Sequence, residues 1–314
     1  HLLKSKYRVL NTPKNINTEI GIAQFILKND FSKIDVFVVE MGAYRIGEIK
    51  LICKMVNPKI GVLTGINEQH LSLFGSIKNT RHAKYELLHS LPKSGFAIIN
   101  SDSAFSEEHV KKISATIQTY GSHDENNPTA IIKDVQQDKS DGSISGMVSM
   151  FGVDYKMKIP VIGRHNAWNF TAAGLIAGYL GMSVEEIREQ AKTIFLPTHT
   201  LEQFSYGNCT VIDDSYNSNP DGFKAALEVL SGFSSFRKRV VVTRGMLELG
   251  PESEQIHERI AGEIDFVADV LVIIDEDYSE PLQKGIVGKY RTDILLRYEE
   301  ERLLKYIKSL KQTD

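Results

Sequence analysis

Three residues with reactive side chains follow apolar runs in the first third of the chain: Glu40, His70 and Lys84. Glu40 stands directly after the β-branched run 34–39, and His70 a few residues beyond a second run, 60–66. Such runs read as strands buried on both faces of a parallel sheet. The segment 46–56 between them has helical spacing, which completes a strand–helix–strand unit. Lys84 falls on a helix predicted after the second strand. Open α/β sheets place their chemistry at the carboxyl ends of their strands, so an acid, an imidazole and an amine could meet at one rim. Each residue also has a plainer reading. Glu40 could cap a helix, His70 could be a satisfied loop histidine, and Lys84 could lay its stem along apolar surface with its amine in water.

The elements that would position these groups alternate strand and helix from residue 1 to about 100: strands at 7–10, 34–39, 60–66 and 96–99, helices at 19–27, 46–56 and 79–91. That alternation predicts a doubly wound, mostly parallel α/β sheet. From about 116 to 161 short alternating runs separated by polar turns predict a small antiparallel extension. A small-residue helix follows within GRHNAWNFTAAGLIAGYLGMS (163–183), with Asn166 and Asn169 on one side of its first turn. Ser183 and Glu186 form a capping-box pattern at the start of the next helix. The helical pattern breaks at Leu196-Pro197-Thr198-His199-Thr200, which places a domain boundary at 197–204. Alternation resumes to the end and predicts a smaller Rossmann-like α/β domain.

The chain has 314 residues, 42% hydrophobic and 25% charged, with a net charge of −3. These values describe an ordinary globular protein of two domains. The charge balance and the lack of a long basic run argue against nucleic acid as the main partner. No leader and no apolar run of about 18 residues is visible, so neither secretion nor membrane spanning is expected. The two cysteines, Cys53 and Cys209, have no metal-like spacing and read as reduced core residues. The opening His-Leu-Leu-Lys-Ser-Lys-Tyr reads as the tail of a helix entering a strand, so a preceding segment is expected.

The stretch VIDDSYNSNPDGFKAAL (211–227) runs from a strand ending in Asp213-Asp214 into a loop and a helix beginning near Pro220. Its plain reading is a corner whose carboxylates and amides cap each other. Four other segments accompany it in order: VVEMGA (38–43), the 64–70 turn with AKYE (83–86), GRHNAWN (163–169) and RGMLELG (244–250). On these motifs the chain resembles the Mur ligase family, and within it the branch that joins D-alanyl-D-alanine to UDP-N-acetylmuramoyl-tripeptide.

The resemblance implies residues 1–196 as the central ATPase domain, incomplete at its start, and 197–314 as the C-terminal Rossmann-like domain, incomplete at its end. It implies an N-terminal sugar-nucleotide domain and a Gly-rich phosphate loop before Tyr7, both outside this sequence. The isolated chain is therefore expected to show little ligase activity. In the family, ATP phosphorylates a substrate carboxylate and an amine then displaces phosphate to form an amide. Mg²⁺ is implied, with Glu40 and His70 as ligands and Lys84 as a CO₂-derived carbamate. Asn15 and Asn17 match a substrate- or phosphate-side motif, and Asn166 and Asn169 match amides facing adenine. His199, Asp214, Tyr216 and Asn217 match residues around the ATP ribose and phosphates. The implied partners are the two small-molecule substrates in the cytoplasm, with no nucleic acid, membrane or obligate protein.

Two positions depart from the pattern. Thr200 stands where an arginine that reaches the ATP phosphates is expected, and a neutral hydroxyl cannot replace a bidentate cation. Either Arg244 or Arg164 would substitute, or phosphate affinity is weakened. Gly245 stands where an aspartate precedes the methionine, in the segment that RGMLELG and His257 match. Two other readings remain: an amide ligase of folylpolyglutamate or cyanophycin type, and a non-catalytic nucleotide-binding remnant.

Overall fold

A computed structural model describes residues 1–13, 16–67, 71–123, 128–138, 141–207, 209–216, 219–233, 238–288, 292–296 and 300–313. They form two compact units: 1–67 with 73–138 and 143–194, and 68–72 with 139–142 and 195–314.

In the first unit, β1 (Val9–Asn11) is followed by α1 (Glu19–Lys28), whose N-cap Thr18 accepts the Gly21 N–H. Next come β2 (Val36–Val38), α2 (Glu48–Val56), β3 (Ile60–Leu63), the short α3 (Leu71–Phe74) and α4 (Ile77–His89). β1 pairs with β2 in parallel over three residue pairs, Val9–Val36 to Asn11–Val38. These two strands share no ladder with β3 among the described residues. Phe37 of β2 stacks on Phe25 and meets Phe31 edge-on.

β3, β4 (Phe96–Asn100), β5 (Thr116–Gly121), β6 (Ala130–Gln137), β7 (Ile144–Met150) and β8 (Val153–Ile159) form one sheet in sequence order. The pairings are parallel from β3 through β6 and antiparallel from β6 through β8. The antiparallel extension thus begins at β6, later than the alternating texture from residue 116 implied. β5 is half-exposed along most of its length, so its pattern resembles a hairpin strand although its partners run parallel.

α4 buries Ala83, Tyr85 and Leu88 against Leu63, Ala97 and Ile99. Each large apolar side chain in such a core contributes about 1.5–3 kcal/mol. α5 (Glu107–Val110) links β4 to β5; α6 (Asn166–Tyr179) packs on β6 and β7, and α7 (Val184–Ala191) on β8. The predicted capping box is formed: Ser183 accepts the Glu186 N–H at 3.2 Å and Glu186 accepts the Ser183 N–H at 2.7 Å.

The second unit opens with an antiparallel pair, β9 (Glu202–Tyr206) and β10 (Cys209–Asp213). The sequence pattern missed β9, which lies under the motif at the predicted domain boundary. After α8 (Pro220–Gly232), three parallel strands follow: β11 (Val240–Thr243), β12 (Val270–Ile273) and β13 (Asp293–Leu296). α9 (Ser253–Val267) and α10 (Ser279–Gly285) separate them, and α11 (Glu300–Thr313) comes last. The core gathers Leu227, Ile256, Ile260, Ile264, Leu271 and Ile273. Cys53 and Cys209 are both free. Among the described residues no helix is long and apolar enough to cross a membrane.

Candidate functional site

The carboxyl ends of β1 and β2 meet in a small polar network. Thr12 N–H donates to Val38 O at 3.1 Å, and Thr12 Oγ1 accepts the Glu40 N–H at 3.3 Å. Asn17 Nδ2 donates to Glu40 Oε1 at 3.2 Å, while Asn17 O accepts the Gly42 N–H at 2.8 Å. Asn17 therefore holds both the carboxylate and the backbone two residues beyond it. Glu40 remains exposed, with oxygen lone pairs open to a ligand.

Glu40 does not cap the following helix. α2 has a left-handed Gly47 at its N-cap and no side-chain cap of its own. Its cap comes from α4: Glu86, 8% exposed, accepts the Gly47 N–H at 2.7 Å and the Lys50 N–H at 2.9 Å. Glu48 accepts the Tyr44 and Arg45 N–H groups at 2.7 and 3.0 Å, which folds the loop after Glu40.

Lys84 is half-buried on α4, and burial pushes its amine pKa down with no charged neighbour contributing. Its amine makes no hydrogen bond or ion pair with Glu40 or any other described residue. His70, Asn15 and Asn217 lie outside the described residues.

Asn166 and Asn169 are brought together, with Asn169 Nδ2 donating to Asn166 Oδ1 at 3.1 Å. Asn166 is 9% exposed and also donates Nδ2 to Ile162 O at 2.8 Å. Both ends of its amide are therefore engaged inside the protein. Asn169 is exposed and keeps a carbonyl oxygen and a second N–H, the paired edge that complements a base. Between them, Trp168 Nε1–H donates to Asp102 Oδ2 at 2.8 Å. Neither Trp168 nor Asp102 stood out in the sequence.

In the second unit, His199 Nδ1 lies 2.6 Å from Asp213 Oδ2, and the His199 N–H donates to Glu202 Oε2 at 2.8 Å. One donor atom from each of these three side chains falls within 4.8 Å of the others. Asp213 and Glu202 sit directly opposite each other in the β9–β10 register, where two carboxylates repel unless a cation lies between them. Asp214 accepts the Leu201 N–H at 3.1 Å, and the Tyr216 N–H donates to His199 O at 3.1 Å. The Tyr216 ring is exposed.

The two neighbouring aspartates are pushed apart. Burial raises the Asp214 carboxyl, helped by the Asp213 charge and only partly offset by the Leu201 N–H. Burial also acts to raise Asp213, but the hydrogen bonds from His199 and Ser215 outweigh it and hold Asp213 low.

Arg244 and Arg164, the two candidate substitutes for the arginine absent at Thr200, differ. Arg244 is paired with Asp275 at 3.0 Å, whereas Arg164 forms no ion pair among the described residues. Gly245 has φ +93°, and a Cβ there would lie 2.7 Å from the Tyr278 side chain. Tyr278 in turn stacks on buried His257, whose Nε2 accepts the Met246 N–H at 2.9 Å. An aspartate has no room at position 245.

In class, the molecule is a mixed α/β protein with a mostly parallel central sheet, whose polar groups collect at the carboxyl ends of parallel strands, accompanied by a smaller α/β unit. Residues 1–177 match the family model described as Mur ligase middle domain, and residues 201–312 match Mur ligase, glutamate ligase domain. The chain belongs to the Mur ligase family.

The UDP-N-acetylmuramoyl-tripeptide–D-alanyl-D-alanine ligase of Bacillus subtilis is 27% identical over 308 residues, 97% of this chain and 63% of the relative. The ligase of the same name from Haemophilus influenzae is 30% identical over 300 residues, 93% of this chain and 62% of the relative. The chain thus spans less than two-thirds of the length of these two relatives. The MurF ligase of Thermotoga maritima in complex with ADP superposes with a TM-score of 0.82 at 25% identity, over 98% of this chain and 68% of that one. A MurF of Acinetobacter baumannii, 24% identical, shares the fold with a TM-score of 0.87 over 99% of this chain and 66% of that one.

Proposed function

We propose that the chain is the central and C-terminal part of an ATP-dependent ligase that joins D-alanyl-D-alanine to UDP-N-acetylmuramoyl-tripeptide in the cytoplasm. Residues 1–196 form its ATPase domain and 197–314 its C-terminal domain. The observation that carries this reading is the agreement with a ligase of that activity along 97% of the chain.

The residues present fit a magnesium–nucleotide site. Glu40 offers an oxygen donor of the kind hard cations take, oriented by Asn17 and Thr12. Magnesium, when bound, neutralises phosphate charge and keeps donor and acceptor oxygens in line. Lys84 serves as a carbamate: its neutral amine nitrogen forms a bond to the carbon of CO₂, loses one proton to solvent and becomes an anionic oxygen ligand. Burial favours this step, because a depressed amine pKa raises the neutral, nucleophilic fraction. His70 completes the metal set, and Asn15 and Asn17 serve the substrate or phosphate side. Asn169, held by Asn166, reads the adenine edge, while His199, Asp214, Tyr216 and Asn217 serve the ribose and phosphates. Arg164, which forms no ion pair among the described residues, can take the phosphate role of the residue missing at Thr200.

The test is acceptor competition in the natural full-length protein with ATP, Mg²⁺ and UDP-N-acetylmuramoyl-tripeptide. D-alanyl-D-alanine is expected to support phosphate release, and Lys84→Ala to lower the rate by at least about 100-fold, a loss typical of a misassembled charge-stabilising site. Faster release with glutamate or a folyl acceptor than with D-alanyl-D-alanine overturns the substrate assignment. A ¹³CO₂-derived carbamate resonance absent from Lys84→Ala checks the modification separately.

A further inference from the structure

We infer that Asp102 is a positioning residue for the base-reading turn of α6, acting through the indole of Trp168; this rests on the adenine role proposed for Asn166 and Asn169.

α6 starts without help from a capping side chain. His165 occupies the N-cap position and makes no cap hydrogen bond. The first N–H groups close tight turns instead: Asn166 to Gly163 O, Ala167 to Arg164 O and Trp168 to His165 O, at 3.0, 3.0 and 3.1 Å. A side-chain cap would fix such a start by about 1 kcal/mol, so here its placement depends on tethers from elsewhere in the fold. Two are present. Gln137 Oε1, at the end of β6, accepts the Gly163 N–H at 3.1 Å. Asp102 Oδ2, just past β4, accepts the Trp168 indole N–H at 2.8 Å from 66 residues away.

Asp102 is built to hold that position. Its Oδ2 also accepts the Ser122 N–H and hydroxyl at 2.8 and 2.9 Å, and its Oδ1 lies 3.2 Å from His123 Nδ1. Its own N–H donates to Asn100 Oδ1 at 2.9 Å, and Asn100 Nδ2 donates to Thr64 O at 2.9 Å. The carboxylate thus joins the end of β5 to α6, while the Asp102 backbone is tied through Asn100 to the end of β3. β5 approaches so closely that a Cβ on Gly121 would overlap Ser101 Oγ and Asp102 Oδ1. Burial acts to raise the Asp102 carboxyl, but the Trp168, His123 and Ser122 hydrogen bonds outweigh it and keep it an anion.

The consequence falls on Asn169. Successive helical residues are about 100° apart, so fixing the direction of Trp168 fixes that of its neighbour. Because the Asn166 amide is engaged internally, the free edge of Asn169 alone discriminates among bases, and discrimination by hydrogen bonds is sensitive to small rotations. A purely structural Asp102 would lower affinity for all nucleotides alike. A positioning Asp102 controls the preference for an amino-purine over an oxo-purine.

The experiment measures Kd for ADP and for inosine diphosphate, each with Mg²⁺, by titration calorimetry on the natural full-length protein. The proteins are wild type, Asp102→Ala, Asp102→Asn, Trp168→Phe and the Asp102→Ala/Trp168→Phe double variant. Wild type is expected to prefer ADP by about tenfold, the scale of one hydrogen-bonded discrimination. Asp102→Ala and Trp168→Phe each bring that preference to about onefold. The double variant is no worse than either single variant, and Asp102→Asn, which keeps an acceptor oxygen, retains part of the preference. Equal weakening of both nucleotides in Asp102→Ala, or an unchanged preference, overturns the positioning role. A wild type that binds ADP without preference, or not at all, overturns the adenine reading instead.

Discussion

The rim of the first unit and the His199 and Met246 loops of the second are held over different distances along the chain. In the first, side-chain tethers reach across the sequence: 23 residues from Asn17 to Glu40, 39 and 36 from Gly47 and Lys50 to Glu86, and 66 from Asp102 to Trp168. Around His199 and Met246 in the second unit the spans are 14 for His199–Asp213, 13 for Leu201–Asp214, 11 for Met246–His257 and 3 for His199–Glu202, although Arg244–Asp275 spans 31 and Arg239–Asp269 spans 30. The first unit joins its rim through residues distant in sequence. The second closes its 199–214 and 244–257 loops on nearby residues, with positive φ at His199, Leu201 and Glu248. Damage should therefore spread in the first unit and stay local in the second.

The largest effect expected from breaking this contrast is Gly245→Ala. A left-handed backbone costs a Cβ about 1–2 kcal/mol, and overpacking against Tyr278 adds about 1–3. Urea unfolding should show a loss of roughly 3 kcal/mol confined to the second unit, partly recovered in Gly245→Ala/Tyr278→Ala. A change under about 0.5 kcal/mol, the range of an ordinary surface substitution, would mean the 244–250 loop is not locked as described.

Next in size is Glu86→Ala, which leaves the Gly47 and Lys50 N–H groups without their acceptor. The expected loss is about 2 kcal/mol in the first unit, with Glu86→Gln intermediate because one acceptor oxygen remains. An undiminished midpoint for Glu86→Ala would show that α2 is held by packing alone.

The smallest effect concerns acid. His257 Nδ1–H donates to Ser253 O at 2.7 Å and its Nε2 accepts from Met246, so the ring is held neutral, and burial pushes its pKa below the usual 6.5. A histidine with a depressed folded-state pKa gives its full stabilisation above the unfolded value, and stability declines as pH falls from there toward the folded one. Thermal melting from about pH 7.5 to about pH 5 should show the second unit softening below 6.5, and His257→Gln should flatten that slope. An identical slope in the variant would assign the acid sensitivity to other groups.

What could be read from the chain in advance follows the same division. Local chemistry was legible: the Ser183 capping box, the meeting of Asn166 with Asn169, and the loop after Asp213 all depend on residues a few positions apart. The alternation of strand and helix was legible because burial imposes a period. Other features were not. β5 is half-exposed and imitates a hairpin strand, and β9 carries a polar, largely exposed pattern under a motif already assigned to a boundary. Glu86 and Asp102 act by hydrogen bonds to distant backbone and indole groups, and such contacts leave no periodic mark. Glu202, three residues after His199, was within reach of a local search and was passed over as part of the boundary.

The short β1–β2 ladder has a consequence for Glu40. Three parallel rungs, with no neighbour at β3 among the described residues, make a cooperative unit of few bonds, while β4 is paired on both flanks. Opening free energy scales with what must be broken together, so deuterium should enter Val9–Asn11 and Val36–Val38 well before it reaches Phe96–Asn100. The exposed acid at the end of β2 thus rides on the softer of two foldons, and whatever binds it should slow exchange there first.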